Sequence, residues 1–203
     1  MLILYTTPGA CSTATHIALE ASGLDYSTVL VDLRAKRLES GLDYLTVNPK
    51  GAVPALRVDE DEVLTENMTC LVYIADKSGS AALLPLSGLE RYRVLEWTNY
   101  VTTELHKGFG PLFNPAASDE LKDATKALIA KKFDYVEAAL GGAGPFLTGA
   151  HARICDYYLY VILRWTDQFG IDLVRWPALA EFRRRVAAEE PVARVLERTG
   201  LGA

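Results

Sequence analysis

Strand signals crowd into the first third of this 203-residue chain and nearly vanish after it, so the fold must join a small sheet to a larger set of helices. Residues 2–5 form a short apolar run closed by Thr6-Thr7-Pro8-Gly9, a strand and its turn. Ala14, Ile17, Ala18 and Ala21 then recur at helical spacing, and Gly23 supplies the stop. Residues 28–31 are β-branched and apolar, a second strand; residues 42–47 read as a short helix before Asn48-Pro49, and residues 55–58 as a third strand. The acidic turn Asp59-Glu60-Asp61 and the run Val63-Leu64 complete a hairpin, and Met68, Leu71, Val72 and Ala75 share one face of a helix that ends near Ser78-Gly79. The order β-α-β-α-β-β-α implies a parallel crossover followed by an antiparallel edge, a mixed four-stranded sheet with helices packed on it.

Residues 78–88 are rich in Ser, Gly and Ala and read as a linker between two domains, 1–80 and 88–203. The second domain is expected to be all-α. Residues 89–109 look like one long helix; Ser118-Asp119-Glu120 can cap another, with Ile129, Phe133, Val136 and Leu140 as its apolar stripe. Ile154, Tyr157, Tyr158, Val161, Ile162 and Trp165 are so densely apolar that their helix should lie at the domain's buried centre, and Pro177 and Pro191 suit the first turns of two last helices.

Composition narrows the function. Half of the residues are hydrophobic and the formal net charge is -5, which argues against a nucleic-acid binder; the one compact basic run, Arg183 to Arg185, reads as a solvated helix face. The N-terminal residues lack the pattern of a signal peptide, no apolar run is long enough to span a membrane, and a cytoplasmic protein is expected. The three cysteines are widely spaced with no Cys-x-x-Cys pair, as expected of free thiols, and no spacing suggests a metal site.

Four places carry candidate chemistry. In Pro8-Gly9-Ala10-Cys11-Ser12 a strand ends, the chain turns, and a thiol arrives at a helix N-terminus, where the partial positive charge favours thiolate. A small buried residue behind a turn is the alternative for Cys11, while Cys70 and Cys155 sit in apolar stripes and read as core. In Asn48-Pro49-Lys50-Gly51-Ala52-Val53-Pro54 a proline directly precedes a strand; a cis Val53-Pro54 bond would expose the Val53 backbone to an extended peptide ligand, and an ordinary trans proline is the alternative. At Leu64-Thr65-Glu66-Asn67 a carboxylate and an amide open a helix, able to hold a ligand's ammonium and carboxylate or simply to cap it. Glu96, Asn99, Thr103 and His106 fall at helical spacing on one face, a polar stripe facing either a ligand or solvent.

Together these motifs resemble the glutathione transferase superfamily along essentially the whole chain. Pro8-Gly9-Ala10-Cys11-Ser12, Asn48-Pro49-Lys50-Gly51, Val53-Pro54-Ala55-Leu56, Leu64-Thr65-Glu66 and the stretch from Glu96 to Phe109 are similar to the bacterial beta class. The resemblance implies a thioredoxin-like, glutathione-binding domain at 1–80 and an all-helical domain at 88–203 that supplies the electrophile pocket and the dimer contacts of a homodimer, with one site per subunit in the domain cleft. It implies that Cys11 and His106 meet the glutathione sulfur, that Val53 and Pro54 pair with its cysteinyl unit, that Glu66 and Asn67 hold the γ-glutamyl end, that Lys36 reaches the glycine carboxylate, and that Asn99 and Thr103 contact the partner's glutathione. Phe109, Phe113 and Trp165 are candidates to line the electrophile pocket, with core packing as the alternative for Trp165. The implied activity is conjugation of glutathione, the co-substrate, to small hydrophobic electrophiles, without a metal. Glutathione-dependent thiol reduction or dehalogenation through Cys11, and a non-catalytic binder on the same fold, are the competing functions. Three residues depart from the family pattern: Thr6 where a tyrosine is common, Asn67 where a serine is usual, and Arg153 where the helix-capping motif has Ser or Thr.

Overall fold

The computed structural model describes residues 1–202, with Ala143 described by its backbone only. It divides into two compact units: residues 1–86 with the segment from Glu189 onward, and residues 87–188.

In the first unit the strands are β1 (Leu2–Thr6), β2 (Tyr26–Asp32), β3 (Arg37–Leu38), β4 (Ala55–Arg57) and β5 (Val63–Thr65), in the order β3-β2-β1-β4-β5. The apolar run of β1 takes the centre. It pairs parallel with β2 and antiparallel with β4, and β4 pairs antiparallel with β5. The sheet has five strands rather than the expected four. Arg37–Leu38 makes only two residues of antiparallel pairing with β2, too short to leave a period-2 pattern in the sequence. The helix expected at 42–47 is one 3₁₀ turn, Tyr44–Thr46, capped by the Asp43 side chain.

Helix α1 (Ser12–Ser22) ends at Gly23, whose φ of 69° is the left-handed stop that glycine allows. It packs against β1 and against α2 (Asn67–Ser78). Alternation along β1 puts Tyr5 on the other face, buried with Val31, Tyr44, Val53 and Ala55, as expected when Thr6 and Tyr5 point opposite ways. Leu83 and Leu84 in the linker stretch are 2% and 1% exposed, so it is anchored rather than loose.

The expected second domain included everything to the end of the chain. The last helix, α8 (Glu190–Thr199), instead belongs with the first unit and packs on α1. Arg198 donates to the Tyr26 hydroxyl (2.7 Å) and to Glu20 (3.1 Å), and Tyr26 donates to Glu20 (2.6 Å). Beneath this cluster His16 is 2% exposed and stands edge-on to the Tyr26 ring at 5.5 Å.

The second unit contains α3 (Gly88–Tyr100), α4 (Gly110–Phe113), α5 (Asp119–Ala143), α6 (Ile154–Phe169) and α7 (Pro177–Ala187). Ser118 caps α5 as expected, the stripe Ile129, Phe133, Val136 and Leu140 is buried, and α6 is the most buried helix, with 12 buried residues. The start of α6 shows how the chain manages without a hydroxyl at position 153. Asp156 accepts the N–H of Arg153 and the N–H of Leu147, each at 2.9 Å, which preserves the acidic half of a capping box. Arg153 has no acceptor to complete the other half. Among the described residues no helix is long and apolar enough to cross a membrane.

Two buried groups give opposite pH signatures. Burial first, then Arg198, lowers the His16 imidazole from 6.5 to about 4. The unfolded chain binds this proton more readily, so the His16 contribution is complete above pH 6.5 and is lost as pH falls through about 4. The stability of wild type relative to His16→Gln, followed by denaturant unfolding, is expected to drop by an order of 2 to 3 kcal/mol across that window. Burial pushes the Asp156 carboxyl from 3.8 up to about 6 despite its two N–H partners, so its contribution is complete below pH 3.8 and falls as pH rises through about 6. Asp156→Ala strands two N–H groups and is expected to cost about 2 to 5 kcal/mol in equilibrium unfolding. A loss under about 1 kcal/mol would mean that water takes the place of the carboxylate.

Candidate active site

The turn between β1 and α1 is tied by hydroxyls. Thr6 donates to Ser12 Oγ (2.8 Å), Ser12 Oγ accepts the Thr7 N–H, Thr13 Oγ1 accepts the Gly9 N–H, and Thr7 donates to the Val31 carbonyl of β2 (2.6 Å). These bonds fix Cys11 immediately before the first residue of α1, where helix N–H groups and the positive end of the dipole favour a sulfur anion. Cys11 is 8% exposed, and its thiol donates to the Val53 carbonyl at 3.2 Å across 42 residues of sequence. The thiol-bearing turn and the proline loop therefore meet at one point.

The 48–54 loop is rigidly built. Asn48, 2% exposed, donates from Nδ2 to the Ala52 carbonyl (2.7 Å), and the Tyr44 hydroxyl donates to the same oxygen (2.8 Å). Burial pushes the Tyr44 phenol up to about 12, so it remains a donor at neutral pH. Val53-Pro54 is cis. Lys36 donates to the Gly51 carbonyl at 2.7 Å, with its stem across Gly51, where an added Cβ would come within 3.3 Å of it.

Lys36 (φ 55°) and Glu66 (φ 69°) are the two non-glycine residues in the left-handed region among the described residues. Both are candidates from the sequence, and such conformations cluster where function holds the backbone away from its preferred state. Glu66 immediately precedes α2 and does not cap it with its side chain. Its carboxylate receives the Lys50 ammonium at 2.6 Å, and Lys50 also donates to Thr65 at 2.8 Å. Both charged side chains are more than half exposed, so the pair contributes little and opens readily. Asn67 differs from the capping role open to it: it is 5% exposed and its Oδ1 accepts from Thr15 of α1 at 2.6 Å.

The second unit holds the remaining candidates in a group of their own. Helix α3 runs only to Tyr100; residues Val101–His106 form a π-helical turn and Lys107–Phe109 a 3₁₀ turn. The hydroxyls of Thr98, Thr102 and Thr103 donate to carbonyls four residues back, which loosens the α ladder, and Lys132 donates to the Glu104 carbonyl at 2.8 Å. The long helix expected at 89–109 is continuous, but its repeat widens to π over Val101–His106, which turns His106 away from the exposed face of Glu96, Asn99 and Thr103. Glu96, Asn99 and Thr103 are exposed, whereas His106 turns partly inward. Its Nδ1 lies 2.5 Å from the Tyr158 hydroxyl, and its ring stands edge-on to Trp165 at 5.2 Å.

Phe109 is fully buried against Phe133, Trp165 and Phe169 and is a core residue rather than a pocket wall. Trp165 is 7% exposed, which favours the core alternative; Phe113, packed on Trp165 at 4.9 Å, is 46% exposed. Tyr158 and Lys50 were not singled out from sequence: Tyr158 looked like one more apolar position in α6, and the Lys50–Glu66 pairing spans 16 residues with no local signal. Cys70 and Cys155 are buried core thiols, the first pushed up to about 12 and the second well above its usual range by burial.

Comparison with known proteins places the whole chain in one family. Residues 1–76 match the N-terminal domain of glutathione S-transferases and residues 100–190 the C-terminal domain. The chain is 43% identical to glutathione S-transferase GstA of Escherichia coli O157:H7, over 98% of each. A sphingomonad glutathione S-transferase complexed with glutathione superposes with a TM-score of 0.93 at 41% identity, over 98% of this chain and 100% of that one. The beta class glutathione S-transferase of Sphingomonas chungbukensis also gives 0.93, at 40% identity and the same coverage. With the thiol, the cis-proline loop and the acidic helix start assembled in a thioredoxin-like unit, this chain belongs to the glutathione S-transferase family and sits with its bacterial beta class.

Proposed function

We propose that this protein conjugates the thiol of glutathione to hydrophobic electrophiles, with thiol–disulfide exchange through Cys11 as a side activity. The observation that carries the reading is the meeting of Cys11 Sγ with the Val53 carbonyl at 3.2 Å. A peptide that pairs with the Val53 backbone beside Pro54 through its cysteinyl unit brings its own sulfur to Cys11 and to the start of α1. There the thiol gives up its proton, helix-end N–H groups stabilise the thiolate, and the thiolate attacks the electrophile.

The charged ends of glutathione have matching groups nearby. Its α-ammonium replaces Lys50 on Glu66, its glycine carboxylate takes Lys36 from the Gly51 carbonyl, and its γ-glutamyl carboxylate is held by the backbone N–H at Asn67, whose side-chain oxygen already accepts from Thr15. His106 serves the same sulfur as a hydrogen-bonding group, and Phe113, with Trp165 behind it, offers apolar surface to the electrophile. The protein acts as a homodimer in which the exposed Asn99 and Thr103 contact the partner's glutathione, and as a cytoplasmic enzyme whose three cysteines stay free in a reducing compartment.

Calorimetry with glutathione, alongside an intact mass spectrum, is expected to give micromolar to millimolar binding; no binding at millimolar glutathione would turn the function toward a non-catalytic partner binder. Cys11→Ala is expected to abolish exchange while conjugation persists, because the helix-end donors and His106 remain. Equal loss of both activities would sink that division of labour.

A further inference from the structure

The turn that carries Cys11 is packed against by a residue from beyond the last helix. Gly9 lies in the left-handed region at φ 79°, and its α-carbon bares a face that any other residue would cover with a Cβ. The Cδ2 methyl of Leu201 lies 3.7 Å from the place such a Cβ would take. The end of α8 brings it there. Gly200 turns left-handed at φ 67° and donates to the Glu197 carbonyl (3.2 Å), while the Leu201 N–H returns to the Leu196 carbonyl (3.0 Å), the paired bonds of a Schellman stop. Helix α8 is itself pinned to α1: Val192, Val195 and Leu196 are buried, and Arg194 and Arg198 reach Glu20 at 3.4 and 3.1 Å. The place of Leu201 is therefore set by a docked helix. On the polar side the same turn is held by the Gly9 N–H on Thr13 Oγ1 (3.2 Å) and the Ala10 N–H on the Thr7 carbonyl (3.1 Å).

We propose that Leu201 is a positioning residue for Cys11: packed on Gly9, it holds the turn closed, keeps the N–H groups at the start of α1 aimed at the Cys11 sulfur, and so favours the thiolate that exchange requires. Shortening Leu201 removes contacts that the turn cannot replace without shifting, and a turn that samples open forms aims its N–H groups less well. The inference rests on the exchange through Cys11 proposed above and deepens it. In that exchange the Cys11 thiol releases its proton to solvent, and the thiolate attacks one sulfur of glutathione disulfide. A bond forms between Cys11 and that sulfur, the disulfide bond breaks, and the second glutathione leaves as a thiolate that takes up a proton from solvent.

The test is the rate of alkylation of the full chain by iodoacetamide as a function of pH, read by intact mass. Cys70 and Cys155 are buried, with thiols pushed up to about 12 and well above the usual range, so modification near neutral pH reports on Cys11. Leu201 is partly buried and lies past the last helix, so Leu201→Ala is expected to remain folded, which circular dichroism checks. In Leu201→Ala the midpoint of the rate profile should move to higher pH, and alkylation below the midpoint should slow roughly two- to tenfold, the worth of one hydrogen bond. Leu201→Val should move it part of the way, and Leu201→Met, which keeps the volume, should restore it. Exchange with glutathione disulfide should lose kcat by the same factor at unchanged KM. An unmoved profile in Leu201→Ala, even with a lowered Tm, would make Leu201 a merely structural residue and overturn the proposal, leaving exchange through Cys11 standing. A profile that Leu201→Met fails to restore would overturn it as well. A moved profile in a protein whose wild type shows no exchange would support the positioning of the thiol and overturn the exchange activity instead.

Discussion

Thr6 ends the central strand with 2% of its surface exposed, and a hydroxyl so placed has to be hydrogen-bonded. Its partner is Ser12, and that single bond sets the distance between the end of β1 and the start of α1. The turn between them must then be tight, Thr7 and Gly9 place their N–H groups on Ser12 and Thr13, and Cys11 is left at the mouth of the helix. The position usually given to a tyrosine in this family is thus used here to build the turn. The neighbouring tyrosine ring lies on the far face of the sheet with Tyr44, whose hydroxyl holds the loop that meets Cys11.

Much of this was legible in the sequence, for identifiable reasons. The β1–turn–α1 unit announces itself by an apolar run, a Pro-Gly turn and a glycine stop, all local signals. The hairpin β4–β5 and the buried stripes of α5 and α6 depend on periodicity and were readable as well. The π-helical turn was not, because spacing analysis assumes one helical repeat, while here threonine hydroxyls and Lys132 alter the repeat from outside the backbone pattern. Strand β3 is too short to show a period. Tyr158 was hidden because a phenol with its hydroxyl bonded looks, in sequence, like any large apolar residue. Phe109, a candidate for the pocket wall, is the opposite case: the rings packed around it leave no face to present.

The two units handle buried polarity differently. In the first, short-range bonds at Asn48 and Ser12 stiffen the turns that present the backbone, while Thr7 to Val31 and Thr15 to Asn67 tie those turns to the rest of the unit. In the second, two polar contacts join helices far apart in sequence: Glu137 to the first N–H groups of α7, and Tyr158 to His106. Those bonds act as registers between helices whose apolar faces alone would tolerate sliding.

The return of α8 to the first unit has a consequence for the order in which the protein becomes itself. A chain emerges and folds from its N-terminus, domain by domain where it can. Here the sheet and α1 are made first, yet Glu20 and Tyr26 acquire Arg194 and Arg198 only after every residue of the helical unit has been synthesised. Until then the side of α1 above His16 is uncovered. The thiol-bearing unit therefore waits, in topological terms, on a domain inserted into its own sequence, and the reactive cysteine near its beginning is carried through synthesis by a fold that is not yet closed.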